Sequence, residues 1–265
     1  MSEIRGVKRR IIMRRFFTEP ENITGDSALI YEDAAHITRV LRMKIGDSVL
    51  IFDGSGKEYI AELCDVSDKC CRAKILSVAE SVLEPKTRVT IYQSLPKSGK
   101  MEEIIQKSVE LGAYSIVPVA ADRCVTKLDG GKRQAEKLKR WNKVAVSAAK
   151  QCGRGILPTV QPPMTFKAAV DKMKQDGLAL MPYEVLGHSG VSNLKEVLTR
   201  FKTEHNAEKA EIGIIIGPEG GFSDSEAEYA ESLGISFVGL GNRILRTETV
   251  SCAMLGMVMY ELGEI

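Results

Sequence analysis

The sequence has almost no net charge: 37 Lys and Arg against 35 Asp and Glu leave +2 over 265 residues. It has no run of ~18 apolar residues, so no membrane span is expected. The basic start, MSEIRGVKRRII, leads into no apolar signal core, so a cytoplasmic protein is expected. Six cysteines (Cys64, Cys70, Cys71, Cys124, Cys152 and Cys252) are too sparse for a disulfide framework. They form no C-x-x-C pair, and His36, His188 and His205 are scattered with no H-E-x-x-H, so no metal is expected. No serine lies in a G-x-S-x-G elbow, which leaves a hydrolase triad without support. The stretch from Ser94 to Met101 has Gly99-Lys100 but lacks the first glycine of a P-loop and the Ser/Thr after the lysine. Gly217 to Gly221 does not fit G-x-G-x-x-G.

The small net charge hides an uneven distribution. Residues 1–15 sum to +5, residues 86–154 to +9, and residues 204–265 to -8. The densest stretch, 127–154, holds nine Lys/Arg and two acids, with Leu138, Trp141, Ala145 and Ala148 at helical spacing. A solvated helix face explains part of this. Such an asymmetry within one chain also points to a polyanionic partner on one surface.

Two regimes meet near Glu84-Pro85. Before them, DSVLIF, DGSGKEYIAEL and CRAKILSV read as short strands, and Asp53-Gly54-Ser55-Gly56 reads as a hairpin connection. A small β-barrel is expected over roughly residues 13–83 on this strand spacing. EDAAHITRVLRMKIGD reads as one helix within it, with Ile37, Val40 and Leu41 on one face. After Pro85, strands and helices alternate to the end of the chain. Ser223 followed by Glu226 forms a capping-box signature before a helix. This alternation predicts an α/β domain with a mostly parallel sheet covered on both faces.

Ligands of open α/β sheets bind outside the carboxyl ends of strands. Three such ends are rich in special backbone residues: Leu180 to Tyr183, Gly217 to Ser223, and Gly239 to Thr249. Glycines in the second allow positive φ and close backbone approach, and the loop feeds a helix N-terminus.

The run from Ile216 to Ser223, containing Gly217-Pro218-Glu219-Gly220-Gly221, and the run from Leu240 to Thr249, containing Leu245-Arg246-Thr247-Glu248-Thr249, together closely resemble the RsmE-type ribosomal RNA methyltransferases. His36 to Arg42, Lys100-Met101-Glu102, Gln106 to Gly112 and Lys150 to Arg154 are similar to the same family. The resemblance covers about residues 13–265, and Met13-Arg14-Arg15-Phe16-Phe17 looks like the family's usual start. It implies a PUA-like RNA-binding β-barrel over 13–83 and a SPOUT methyltransferase domain with a trefoil knot over 84–265. Residues 1–12 are left as an N-terminal extension. It further implies S-adenosylmethionine as methyl donor, a homodimer, and methylation of a uridine N3 in 16S ribosomal RNA, either naked or within the small subunit.

By that resemblance the cofactor is expected among Leu180, Met181, Pro182, Ile216, Gly217, Gly220, Gly221, Leu240, Gly241, Ile244, Leu245 and Thr249. Uracil N3 must lose its imide proton to attack, and the developing anion favours an arginine that holds its charge at any relevant pH. Arg246 is expected in that role, with Glu248 or Glu219 as proton acceptor. RNA contacts are expected from Arg14, Arg15, His36, Arg39 and Arg42, extended by Arg123, Lys127 and Arg154. Two alternatives stay open: a SPOUT enzyme acting on another base or a ribose 2'-hydroxyl, and a non-catalytic RNA-binding assembly protein.

Overall fold

The computed structural model describes residues 13–97, 99–127, 130–183, 191–204 and 211–265. The extension 1–12, His188 and His205 lie outside them. The chain forms two compact units. The first holds the described residues up to Leu83 together with Gly153–Ile156, and the second holds Glu84–Cys152 and Leu157–Ile265.

The first unit contains β1 (Arg14–Phe17), β2 (Ile23–Thr24), β3 (Ser27–Ile30), β4 (Ser48–Phe52), β5 (Lys57–Val66) and β6 (Cys71–Glu80). They form one sheet in the order β1-β4-β5-β6-β3-β2. The β1–β4 pair is parallel and the others are antiparallel. Alternation along β5 puts Tyr59, Ala61 and Leu63 inside. They meet Phe16, Ile30, Ile37, Val49 and Ile51 in one core. Register breaks at Ile60/Ala61 and Leu63/Asp65 mark irregularities that bend a strand pair.

The helix expected over 32–47 is shorter than its periodicity suggests. It is a single π-type stretch, His36–Val40, and only Ile37 of it is buried. The wider turn takes Val40 off the inner face, where it is 65% exposed. Arg42 then adopts φ 51°, and Gly46 at φ 93° returns the chain to the sheet through its N–H bond to Leu63 O at 2.8 Å.

The second unit contains β7 (Arg88–Ser94), α1 (Lys100–Glu110), β8 (Ser115–Ala120), α2 (Gly131–Cys152), β9 (Thr159–Val160), β10 (Met164–Thr165) and α3 (Phe166–Met173). It continues with β11 (Leu178–Pro182), β12 (Ser192–Asn193), α4 (Leu194–Glu204), β13 (Glu211–Ile216), α5 (Asp224–Ser232), β14 (Ser236–Gly239) and α6 (Thr247–Leu262). The sheet runs β10-β8-β7-β13-β11-β14-β12, with β9 also beside β8, and its described pairs are parallel. Parallel strands covered on both faces need continuous apolar runs, and Ile212 to Ile216 of β13 are all buried. Among the described residues no helix is long and apolar enough to cross a membrane.

Asp176, after α3, sits against this core. A Cβ at Gly213 would lie 2.5 Å from its Oδ2, an oxygen buried without a hydrogen-bond partner among the described residues. Burial, then the nearby Glu211, raise its carboxyl to about 6 from 3.8. The folded protein therefore binds more protons than the unfolded chain between these two values, so stability falls as pH rises through that window and is flat above it. Asp176→Asn is expected to stabilise the protein by about 1–2 kcal/mol at pH 7 and to flatten that slope. Urea melts at pH 5 and pH 7 check this: the gain should be larger at pH 7, and an equal change at both, or a loss, would count against it.

Candidate functional site

In the sheet order β13, β11 and β14 are neighbours, so their carboxyl ends lie side by side. The loops that leave them enclose a cleft of about 390 Å³. That falls within the ~300–1,000 Å³ of small-molecule sites. Its walls include Pro182 and Tyr183 after β11, Ile216 to Glu219 with Gly221 and Phe222 after β13, and Leu240 with Ile244 to Thr247 after β14.

Local chemistry holds the 217–223 loop in place. Gly221 takes φ 67° and donates its N–H to Pro218 O at 2.9 Å, closing a tight turn. The capping box is complete: Ser223 Oγ accepts from Glu226 N at 3.3 Å, and Glu226 Oε2 accepts from Ser223 N at 2.9 Å. The other oxygen of this buried carboxylate accepts from Asp122 N at 2.8 Å, tying the loop to the end of β8. From the other side, Thr247 Oγ1 donates to Gly217 O at 2.7 Å. Gln93 Nε2 donates to Thr247 Oγ1 at 2.9 Å, and Ser251 Oγ donates to Gln93 Oε1 at 2.5 Å. Gln93, Thr247 and Ser251 are all buried, so this chain of bonds fixes the start of α6 against β7 and the loop. The sequence reading did not include Gln93 or Ser251. A polar pair buried at the end of an otherwise apolar strand and helix was the available signal.

The candidate catalytic residues divide. Arg246 is the N-cap residue of α6, is exposed, lines the cleft and pairs with no carboxylate among the described residues. Glu219 also lines the cleft, and its Oε1 accepts from Lys97 N at 3.2 Å. Glu248 does not line it. Lys100 Nζ lies 3.0 Å from Glu248 Oε2 and 3.5 Å from Glu219 Oε1, bridging the two carboxylates. Burial pushes the Glu248 carboxyl up, but its own backbone N–H and Lys100 outweigh that and leave it below the ordinary value. Glu248 thus lies outside the cleft lining with its carboxylate held by Lys100, while Glu219 lines the cleft and makes the longer contact to the same lysine.

Of the expected cofactor residues, Pro182, Ile216, Gly217, Gly221, Leu240, Ile244 and Leu245 line the cleft. Leu180 and Met181 are fully buried beneath it, in β11. Gly241, at φ 89°, and Thr249 are exposed and do not line it. Gly220 turns away: a Cβ there would meet Arg123 Cβ at 3.2 Å, and its carbonyl accepts from Arg123 Nη1 at the same distance. Tyr183, Pro218, Phe222, Thr247 and Val250 line the cleft beyond those expected. A Cβ on Gly217 would lie 3.1 Å from the Phe222 ring, so glycine keeps this wall open for a bound group.

The expected RNA residues also divide. Arg14 and Arg42 are exposed. His36 is exposed too, while Arg39 donates to Asp68 Oδ2 from Nε at 3.0 Å and from Nη2 at 2.5 Å. Arg123 and Lys127 lie in the second unit, Arg123 on the cleft. Arg15 and Arg154 are not open to solvent. Arg15 pairs with Glu58 at 3.0 Å, lies 3.7 Å over the Phe52 ring and donates to Arg154 O at 2.9 Å. Arg154 itself is 5% exposed. Both serve the first unit's own packing, and a phosphate contact by either would require breaking it.

A family model described as an RNA methyltransferase domain matches residues 83–259, and one described as an RNA methyltransferase PUA domain matches residues 32–76. Ribosomal RNA small subunit methyltransferase E of Bacillus subtilis is 32% identical over 255 residues, covering 94% of this chain and 97% of the relative. The enzyme of that name from Synechocystis is 30% identical, covering 94% and 78%. Among solved structures, ribosomal RNA small subunit methyltransferase E from Neisseria gonorrhoeae, bound to S-adenosyl methionine, aligns with TM-score 0.75 at 30% identity over 94% of this chain and 97% of that one. A Legionella pneumophila protein in complex with the cofactor SAM aligns with TM-score 0.76 at 29% identity over the same shares.

Proposed function

The chain belongs to the RNA methyltransferase family that includes ribosomal RNA small subunit methyltransferase E, and we propose that it methylates N3 of one uridine in 16S ribosomal RNA. Its methyl donor is S-adenosylmethionine, which supplies an electrophilic methyl group when bound. One observation carries the reading: the Gly217–Phe222 and Leu240–Thr247 loops close on a single cleft with an exposed arginine in its wall.

The protein's own residues then divide the work. The backbone of Gly217 and Gly221 offers donors and acceptors to the cofactor, and Ile216, Leu240 and Leu245 supply apolar wall. Arg246 stabilises the negative charge that develops on the uracil oxygens as N3 is deprotonated. Glu219 lines the cleft and is assigned to take that proton, directly or through water. Holding both reactants together supplies much of the acceleration.

The first unit is proposed as the RNA-holding PUA-like domain and the second as a SPOUT domain with its chain end knotted. A homodimer through α6 is proposed as well, supported by Met257 at 41% and Tyr260 at 74% exposure on that helix. In the first unit Arg39 and Arg42 are expected to contact phosphates. Arg39→Ala with Arg42→Ala should weaken RNA binding by about 10-fold and lower the salt slope by about two, with cofactor affinity intact. RNA affinity unchanged across a salt series would refute this.

A further inference from the structure

A second cavity in the same unit, about 130 Å³ against 390 Å³ for the cleft, lies at the carboxyl end of β7 beside the first turn of α1 and the middle of α2. Met101, Trp141 and Pro163 give it apolar wall. Among the described lining residues Lys97, Lys127, Lys137 and Arg140 bring four cations, against one carboxylate, Glu102, which lies 2.6 Å from Arg140 Nη2. Trp141 is 5% exposed, and its Nε1 is buried with no hydrogen-bond partner among the described residues. An indole N–H is a donor only and calls for an acceptor. A bare anion would use the cations but not the apolar wall, and a metal ion would be repelled by them. A nucleotide uses both, since its base brings a flat apolar face with acceptors on its edge and its phosphate brings the charge.

The cavity and the cleft are linked by one hydrogen bond. Lys97 lines the cavity, while its backbone N–H donates to Glu219 Oε1 of the cleft at 3.2 Å. Thr126 Oγ1 donates to Pro96 O at 3.0 Å and pins this loop from the other side. The Lys97 bond sets the β7–α1 loop beside the cleft wall.

We propose that this cavity holds a nucleotide flanking the methylated one, with its base against Met101 and Trp141 and its phosphate among Lys97, Lys127, Lys137 and Arg140. The proposal rests on the reading of the protein as an RNA methyltransferase and adds a second, site-choosing contact to it. It also gives the basic face of α2 a purpose beyond solubility.

Trp141 is the only tryptophan in the chain, so its emission reports on this cavity alone. Titration of the full-length protein with uridine and adenosine 5'-monophosphates is expected to quench that emission, and inorganic phosphate at equal concentration is not. Lys137→Ala with Arg140→Ala should raise both the monophosphate Kd and the KM for RNA by about 10-fold, with the calorimetric cofactor Kd unchanged. Trp141→Phe keeps the ring and removes the donor, so a smaller rise in the KM for RNA is expected. Several results would overturn the proposal: emission unmoved by nucleotides, quenching by phosphate alone, or nucleotide quenching with an unaltered KM for RNA. Loss of cofactor binding in the unmodified protein would instead strike at the methyltransferase reading.

Discussion

Arg246→Ala should lower kcat by about 10²–10³-fold while changing cofactor affinity by less than about threefold, the signature of a group that acts on the transition state. As N-cap residue of α6, Arg246 has its backbone fixed by Thr249 N and Val250 N, which bond to its carbonyl at 2.8 and 2.9 Å. Its side chain makes no close ion pair among the described residues, though its charge is felt by Glu248, and it lines the cleft. Lysine at this position keeps the charge but loses the planar fork, and Arg246→Lys should recover only part of the rate. By contrast Glu248→Gln should cost less than about 10-fold, because that carboxylate is committed to Lys100. Single-turnover methyl transfer at saturating cofactor measures all three. Equal losses for Arg246→Ala and Glu248→Gln would contradict this division of roles.

Gly217→Val should weaken cofactor binding by about 100-fold or more, since the added carbons must enter the cleft or displace a packed ring. The Cβ alone would lie 3.1 Å from Phe222 Cε2, and Phe222 is itself held 5.4 Å from the Phe166 ring. Moving the loop away instead would break the Thr247 Oγ1 bond to Gly217 O and with it the buried link to Gln93. Gly220 provides the control. Its missing Cβ faces the Arg123 side chain rather than the Phe222 ring, so Gly220→Val should displace a flexible side chain at the cleft and cost much less affinity. Isothermal titration with S-adenosylmethionine compares the two; equal losses would show that loop disorder, not cleft shape, is what both residues control.

These glycines illustrate how much of the site was legible before the structure. Three glycines and a proline between a buried strand and a capped helix announced a ligand loop, and the loop does line the cleft. Which glycine faces the cleft depends on φ at Gly221 and on Arg123, almost 100 residues away in sequence, and spacing carries no such information. Long-range ion pairs were hidden for the same reason. Arg15 resembled a surface RNA contact until Glu58 and the Phe52 ring were seen to hold it, and Lys100 was one letter of a motif until it was found between Glu219 and Glu248. The alternation after Pro85 was legible because parallel strands must be apolar throughout and their helices amphipathic. The helix expected over 32–47 was overdrawn because periodicity does not register a π-type turn or the positive φ of Arg42. The net charge of +2 proved a poor guide, since the cations gather on α2 rather than averaging over the chain, whose last 62 residues sum to -8.

The most direct test is methyl transfer from labelled S-adenosylmethionine to small ribosomal subunits from cells lacking this gene, followed by mass mapping of the modified nucleoside. One methyl group per subunit, on N3 of a single uridine of 16S ribosomal RNA, is the predicted result. A methyl group on a ribose 2'-hydroxyl, on another base, or on no RNA at all would contradict the account.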